Sequence, residues 1–158
     1  VFTGGLVGLQ NGDIITASFA TTADTNSPVG AYAITAALSD PGSKLGNYAV
    51  STNGGTLTIT AASLLVTANN ASRVYGATNP VFSASYSGFV NGETTAVLSG
   101  SPSLTTSADT NSPVGPYDIV AALGTLSAAN YSLVFSNGVL TVTVPKSASA
   151  RPRKIEIR

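Results

Sequence analysis

Acids, tyrosines and a basic tail are the side chains of this sequence whose chemistry can reach beyond a fold. Asp24 and Asp109 stand in identical surroundings, Ala-Asp-Thr-Asn-Ser-Pro-Val-Gly at 23–30 and again at 108–115. A carboxylate among carbonyl oxygens is what a hard cation such as calcium takes. Such a site needs several carboxylates, however, and each turn offers one, with Asp13 and Asp118 at no defined distance. An Asx-capped turn, in which the side chain bonds its own backbone, is the simpler use of that Asp. Glycoside hydrolysis needs two carboxylates held roughly 5–10 Å apart in a cleft. The acids available for it beside the second turn, Glu93, Asp109 and Asp118, belong to no such motif.

Tyr75, Tyr86, Tyr117 and Tyr131 carry rings of the kind that stack on sugars. Three of them alternate in phase with apolar neighbours, which assigns them to the core of strands. Tyr75 does not: it precedes Gly76 in a turn-rich stretch, and its ring can anchor the core or face a ligand. Tyr75 and Asn91, the latter ahead of Gly92, are therefore the candidate ligand contacts, and no catalytic, cofactor or metal residue is assigned. Asn70-Ala-Ser72 and Asn130-Tyr-Ser132 match the glycosylation triplet and are given no role.

Composition excludes whole classes of chemistry. The 158 residues contain no Cys and no His, hence no thiolate or imidazole ligand for zinc, copper or iron. A Ser-His-Asp or Cys-His arrangement is equally absent, as is any imidazole for proton transfer near neutral pH. Without Cys the fold must stand on packing alone. Charged residues make up only 9%, against roughly 25% in an ordinary soluble domain. Ser and Thr, about a quarter of the chain, form the polar surface instead. Thr and Val pack well on pleated faces, so this composition favours strands. The formal net charge of zero is unevenly placed: six acids against Lys44 and Arg73 leave the body up to Pro145 at −4, and five bases against Glu156 leave the tail at +4. That tail can touch an anionic surface only weakly and has no interleaved aromatics, so nucleic acid is not an expected partner. No apolar run is long enough to span a bilayer.

The elements that position these residues come in two copies. Besides the shared octapeptide, Gly8–Asp13 matches Gly88–Glu93, Val1-Phe2 matches Val81-Phe82, and Asn47-Tyr48 matches Asn130-Tyr131. Gly55–Thr60 matches Gly138–Thr143, and Leu57 to Leu140 gives a period of 83 residues. Such self-similarity is the signature of a repeat architecture. Leu64–Pro80 has no counterpart in the first copy. The expected organisation is an incomplete module at 1–60 lacking its first strand, a complete module at 61–143, and a basic tail at 144–158. The opening Val rather than Met suggests a gene fragment, with any export signal upstream.

Within the complete module, Leu64–Ala68 reads as a strand, Asn69–Pro80 as a turn-rich link, and Val81–Tyr86 as a strand with Phe82, Ala84 and Tyr86 inward. Asn91–Leu98 breaks the period of two and predicts a short helix capped by Asn91. Strands follow at Ser103–Ala108, Tyr117–Leu123, Tyr131–Phe135 and Val139–Thr143, with Ser136-Asn-Gly138 predicting a hairpin between the last two. The fold class is mainly β. A β-grasp-like two-layer module, one mixed sheet crossed by the short helix, is preferred, with an immunoglobulin-like sandwich as the alternative. Lys154–Arg158 also alternates, and is a candidate for the strand the first copy lacks or for pairing with an exposed edge.

Leu65–Pro80 with its Tyr75-Gly76 pair, Tyr86–Gly92, Ser112–Tyr117 and Ala129–Tyr131, in this order, closely resemble the MBG repeat of the Tyr-Gly type. The resemblance covers 61–143 throughout and 1–60 as a copy without the Tyr-Gly segment. It implies a tandem module of large bacterial secreted and cell-surface proteins, including adhesin-like ones, and brings no catalytic residue or ligand. On this basis the chain is expected to be a non-enzymatic extracellular stalk or spacer whose partners are neighbouring repeats. The alternative is a module that contacts a surface glycan or a host protein through the loops at Tyr75 and Asn91.

Overall fold

The computed structural model describes residues 1–144; the tail, with its basic cluster and the alternating Lys154–Arg158, lies outside the described residues. The protein is mainly β, as the Thr- and Val-rich composition requires, with no α-helix among the described residues. It divides into two compact units, Val1–Ala61 and a second that starts at Ala62.

The first unit has one antiparallel sheet in the order β1 (Thr16–Thr21), β2 (Gly30–Ser39), β3 (Gly55–Ile59). The second contains β4 (Ala62–Ala68), β5 (Ala71–Val74), β6 (Ala84–Ser87), β7 (Ser103–Thr105), β8 (Gly115–Ala122), β9 (Tyr131–Ser136) and β10 (Gly138–Thr143). Here β6-β4-β9 form one sheet and β5-β10-β8-β7 another. Strand β4 runs parallel to β9, and β5 runs parallel to β10.

The hairpin expected at Ser136-Asn-Gly138 does not form. A reversal there would leave β9 and β10 paired side by side, yet they lie in different sheets. The chain instead passes from one sheet to the other through Asn137, and its neighbour does the same between β4 and β5 through Asn69-Asn70. Two side chains fasten this corner: Asn137 Oδ1 accepts the Ala121 N–H at 3.1 Å, and Asn70 Oδ1 accepts the Val139 N–H at 2.8 Å. Gly138 is there because the strands nearly touch, a Cβ at that position falling 2.4 Å from the Ala68 carbonyl oxygen. Asn-Gly thus serves close approach at a bend, not a turn.

Segments 62–74 and 131–143 are therefore two long parallel strands, each bent at the same level. Around them the order is β6, β4/β5, β9/β10, β8, β7, with the two long strands shared between two mixed sheets where one mixed sheet was expected. The helical layer is not there. The segment at Asn91–Leu98 contains only a three-residue 3-10 turn, Thr95–Val97, capped by the Thr94 side chain rather than by Asn91. The turn-rich link also proves to contain a strand, β5, whose four residues pair with Leu140–Thr143.

Alternation on the long strands supplies the core. Leu64, Val66, Ile119, Leu140 and Val142 are fully buried, and each contributes roughly 1.5–3 kcal/mol. Ala68, Ala108, Ile119, Ala121 and Leu140 form one cluster in the fold of the sheet, with Phe82, Leu104, Tyr117 and Phe135 packed against it.

Candidate functional site

Asp24, Asp109, Glu93, Tyr117 and Tyr131 each have an identifiable employment. Asp109 Oδ1 accepts the Asn111 N–H at 2.9 Å and the Ser112 hydroxyl at 3.2 Å, while the Ser112 Oγ accepts the Asp109 N–H at 2.8 Å. Asp24 does the same with Asn26 and Ser27, at 2.9, 3.1 and 2.8 Å. Just beyond, the Tyr117 hydroxyl donates to the Pro113 carbonyl at 2.9 Å, and Tyr32 to that of Pro28 at 2.7 Å. The repeated octapeptide and the tyrosine after it are one closed turn. Its carboxylate oxygen is occupied by its own backbone, the Asx turn that competed with the calcium reading. No three acids cluster among the described residues.

Glu93 and Tyr131 form a second device. The Tyr131 hydroxyl donates to Glu93 Oε2 and accepts the Val90 N–H. The Tyr131 ring, 7% exposed, stands edge-on to Phe89 at 5.7 Å. The hydrogen bond to the Glu93 carboxylate, together with burial, raises the phenol above its ordinary value of 10.0. The first unit repeats the arrangement: the Tyr48 hydroxyl donates to Asp13 Oδ2 at 2.8 Å and accepts the Gln10 N–H at 3.1 Å. Tyr48 is also raised. The backbone bond at Gln10 pulls its phenol down, but the Asp13 carboxylate and burial outweigh it.

Between these partners lies Asn91, one of the two candidate ligand contacts. Its φ of 54° and the 72° of Gly92 make a two-residue turn closed by Glu93 N–H to Val90 O at 2.9 Å. Asn11 and Gly12 repeat it with φ of 56° and 71°. Asn is used because it tolerates the left-handed region, and the turn holds the acid against the tyrosine.

Tyr75 follows β5 and is 52% exposed, with its N–H bonded to Thr143 O at 2.7 Å. Its backbone extends the ladder and its ring faces outward. It sits at the end of β5/β10, whereas Asn91 sits beside the start of β9. Because the two long strands run parallel, these positions belong to opposite ends of the strand pair, so Tyr75 and Asn91 are two separate surfaces.

Arg73, which is not among the sequence candidates, is the one buried charged residue among those described, at 7% exposure. Its guanidinium donates to the Asp109 carbonyl, to the Val74 carbonyl at 3.3 Å and to Asn79 Oδ1 at 2.7 Å. Asn79 in turn donates to the Ala108 carbonyl at 2.7 Å. The pair ties the segment after β5 to the repeated turn through bonds to backbone carbonyls on both sides. The sequence signal was Arg73 itself, a lone base at a position whose alternation with Ala71 points inward.

Asp40 completes the acids of the first unit. Backbone amides of Lys44 and Leu45, the latter at 2.6 Å, hold its carboxyl below the ordinary 3.8. No helix among the described residues is long and apolar enough to cross a membrane.

No curated protein and no solved structure matches the chain. A family model described as MBG domain (YGX type) matches residues 1–58 and again 64–141. The second match contains Tyr75-Gly76-Ala77, and the clasps and turns above recur in both matched stretches. Two copies account for nearly the whole described chain, which belongs to the MBG domain family of the YGX type.

Proposed function

We propose that the chain is a non-enzymatic spacer segment of an extracellular, adhesin-like bacterial surface protein, in which repeats in series give reach. The observation that carries this reading is the course of the two long strands. The chain comes into the second unit at Ala62, beside Tyr131, and leaves β10 at Thr143, beside Val74. These points are at opposite ends of a parallel strand pair, so a module of this kind adds length where it is inserted. At roughly 3.3 Å per residue each strand path is on the order of 40 Å before its bend is allowed for. Only Thr60 and Ala61 separate β3 from β4, and so short a link restrains swinging better than a flexible linker does. Asp24 and Asp109 are engaged in turns, and Asp13 and Glu93 in clasps, an arrangement suited to holding shape rather than to turning over a substrate. Arrays of two, four and six copies of residues 62–143 test the reading by small-angle scattering, with a maximum dimension that rises linearly with copy number.

A second reading rests on one exposed ring. Tyr75 presents half its surface at the end of the strand pair, and glycan-contacting aromatics are exposed in this way. A glycan array gives reproducible hits, lost on Tyr75→Ala, if the module binds through that loop. Hits retained in the Tyr75→Ala protein, or none at all, remove this reading and leave the spacer.

A further inference from the structure

Where a chain enters and leaves a module decides how that module answers a pull. In the second unit the entering strand and the leaving strand are immediate neighbours. Residues 62–67 pair with 131–136, and after the bend 71–74 pair with 140–143, all in parallel. The ladder continues past both ends of this register. The Ala62 N–H donates to the Asn130 carbonyl at 3.0 Å, and the Tyr75 N–H to the Thr143 carbonyl at 2.7 Å. The Thr143 hydroxyl adds a bond to the Arg73 carbonyl at 3.3 Å.

Tension along the chain draws Ala62 outward at one end and Thr143 outward at the other. Because the two strands run the same way, that load slides one along the other. The hydrogen bonds between them lie across the direction of sliding, so they are strained together. Two strands drawn apart from one shared end would instead lose their bonds one after another, each weak alone.

Side chains oppose the sliding as well. Leu64 and Val66 on one strand and Leu140 and Val142 on the other are fully buried, and a slip of one residue turns a strand's inward set to the wrong face. The bend adds a stop. At Gly138 a Cβ would run into the Ala68 carbonyl oxygen. Tension moves β9 and β10 toward the exit end, and the residue it carries to that place is Asn137 or Ser136, each with a Cβ. Asn137 and Asn70 also fasten the corner, to the Ala121 and Val139 amides.

We infer that the second unit is a force-bearing clamp, whose two long parallel strands are loaded in shear through its own entry and exit. It resists tension along that axis far better than across it, and so keeps its length under a load that would unravel an unzipping module. The inference rests on the spacer reading only for the direction of the load, since repeats in series are pulled through their ends.

The protein has no cysteine, so thiol handles can be set at chosen exposed positions of the full chain. Ala61→Cys with Val144→Cys loads the second unit through its entry and exit. Ala61→Cys with Ala129→Cys draws the same two strands apart from their common starting end. Forced unfolding reads a barrier rather than an equilibrium, so chains with the same urea midpoint can differ in it. At one loading rate, single-molecule pulling is expected to open the entry–exit chain in one step, at about twice the force of the other or more. The gain in length is on the order of 250 Å, the extended segment less its folded span. If either pair lowers the urea midpoint, Thr60→Cys replaces Ala61→Cys in both chains and the comparison is repeated. Equal forces in the two directions overturn the clamp, as does gradual lengthening at low force between the entry and exit handles. Either result leaves the spacer reading standing, whereas arrays that fail to extend in solution remove the spacer and leave this directional difference intact.

Discussion

Tyr131 and Tyr48 hold their protons more tightly in the fold than in the unfolded chain, and that has a direction in pH. A phenol whose folded value is raised contributes stability that is present in full below the ordinary 10.0 and lost as pH climbs through the raised value. Urea midpoints are expected to hold through neutral pH and fall in alkali, with Tyr131→Phe and Tyr48→Phe each starting lower and falling less. Asp40 acts at the other end: lowered in the fold, it contributes stability that drains as pH falls below 3.8, and Asp40→Asn flattens that acid limb. Arg73→Ala takes the guanidinium from Asn79 Oδ1 and empties a buried site, and is expected to cost about 1–3 kcal/mol by chemical denaturation. Much of this was legible beforehand. The repeated Asp-Thr-Asn-Ser-Pro turn announces its own Asx bonds through residue types alone. The Tyr131–Glu93 clasp did not announce itself, because its partners are 38 residues apart and only the pairing of β4 with β9 brings the tyrosine to the acid.

At the scale of elements, the period-of-two signal located most strands, and what it missed was where a strand goes next. Asn137-Gly138 has the composition of a hairpin and the role of a sheet-crossing bend. The distinction depends on Ala68 of a neighbouring strand, 70 residues earlier in the chain from Gly138, which no local window contains. Gly138→Ala is accordingly expected to destabilise the second unit by several kcal/mol, roughly the cost of a clash in a packed core, and a hairpin turn would tolerate it better. Strand β5 went unseen for a related reason: four residues among Asn, Gly and Pro carry little pattern, and their parallel pairing with β10 makes them a strand. The helix expected at Asn91–Leu98 fails because Asn91 spends its backbone on a left-handed turn that aims Glu93 at Tyr131. Burial gives a sharper comparison between elements. Leu140→Ala is expected to cost about 3–5 kcal/mol and Leu57→Ala, at the same register in the half-covered first unit, under half that, read from separate unfolding transitions.

For the whole molecule, the two-copy arrangement was plain in the sequence, since an identical octapeptide and a period of 83 residues need no structure to be seen. The absence of a counterpart to Leu64–Pro80 was equally plain, but its consequence was not. Only the structure reveals that this segment supplies β4, on which β6 and β9 pair, and β5, which pairs with β10. The module spends acids and tyrosines on its own turns and clasps, and its chain comes in at one end and goes out at the other. Small-angle scattering from arrays of two, four and six copies of residues 62–143 measures that most directly. Equal increments in maximum dimension, on the order of 30–40 Å per copy, with an unchanged cross-section, are the predicted result. A particle that thickens as copies are added, its maximum dimension levelling off, would contradict it.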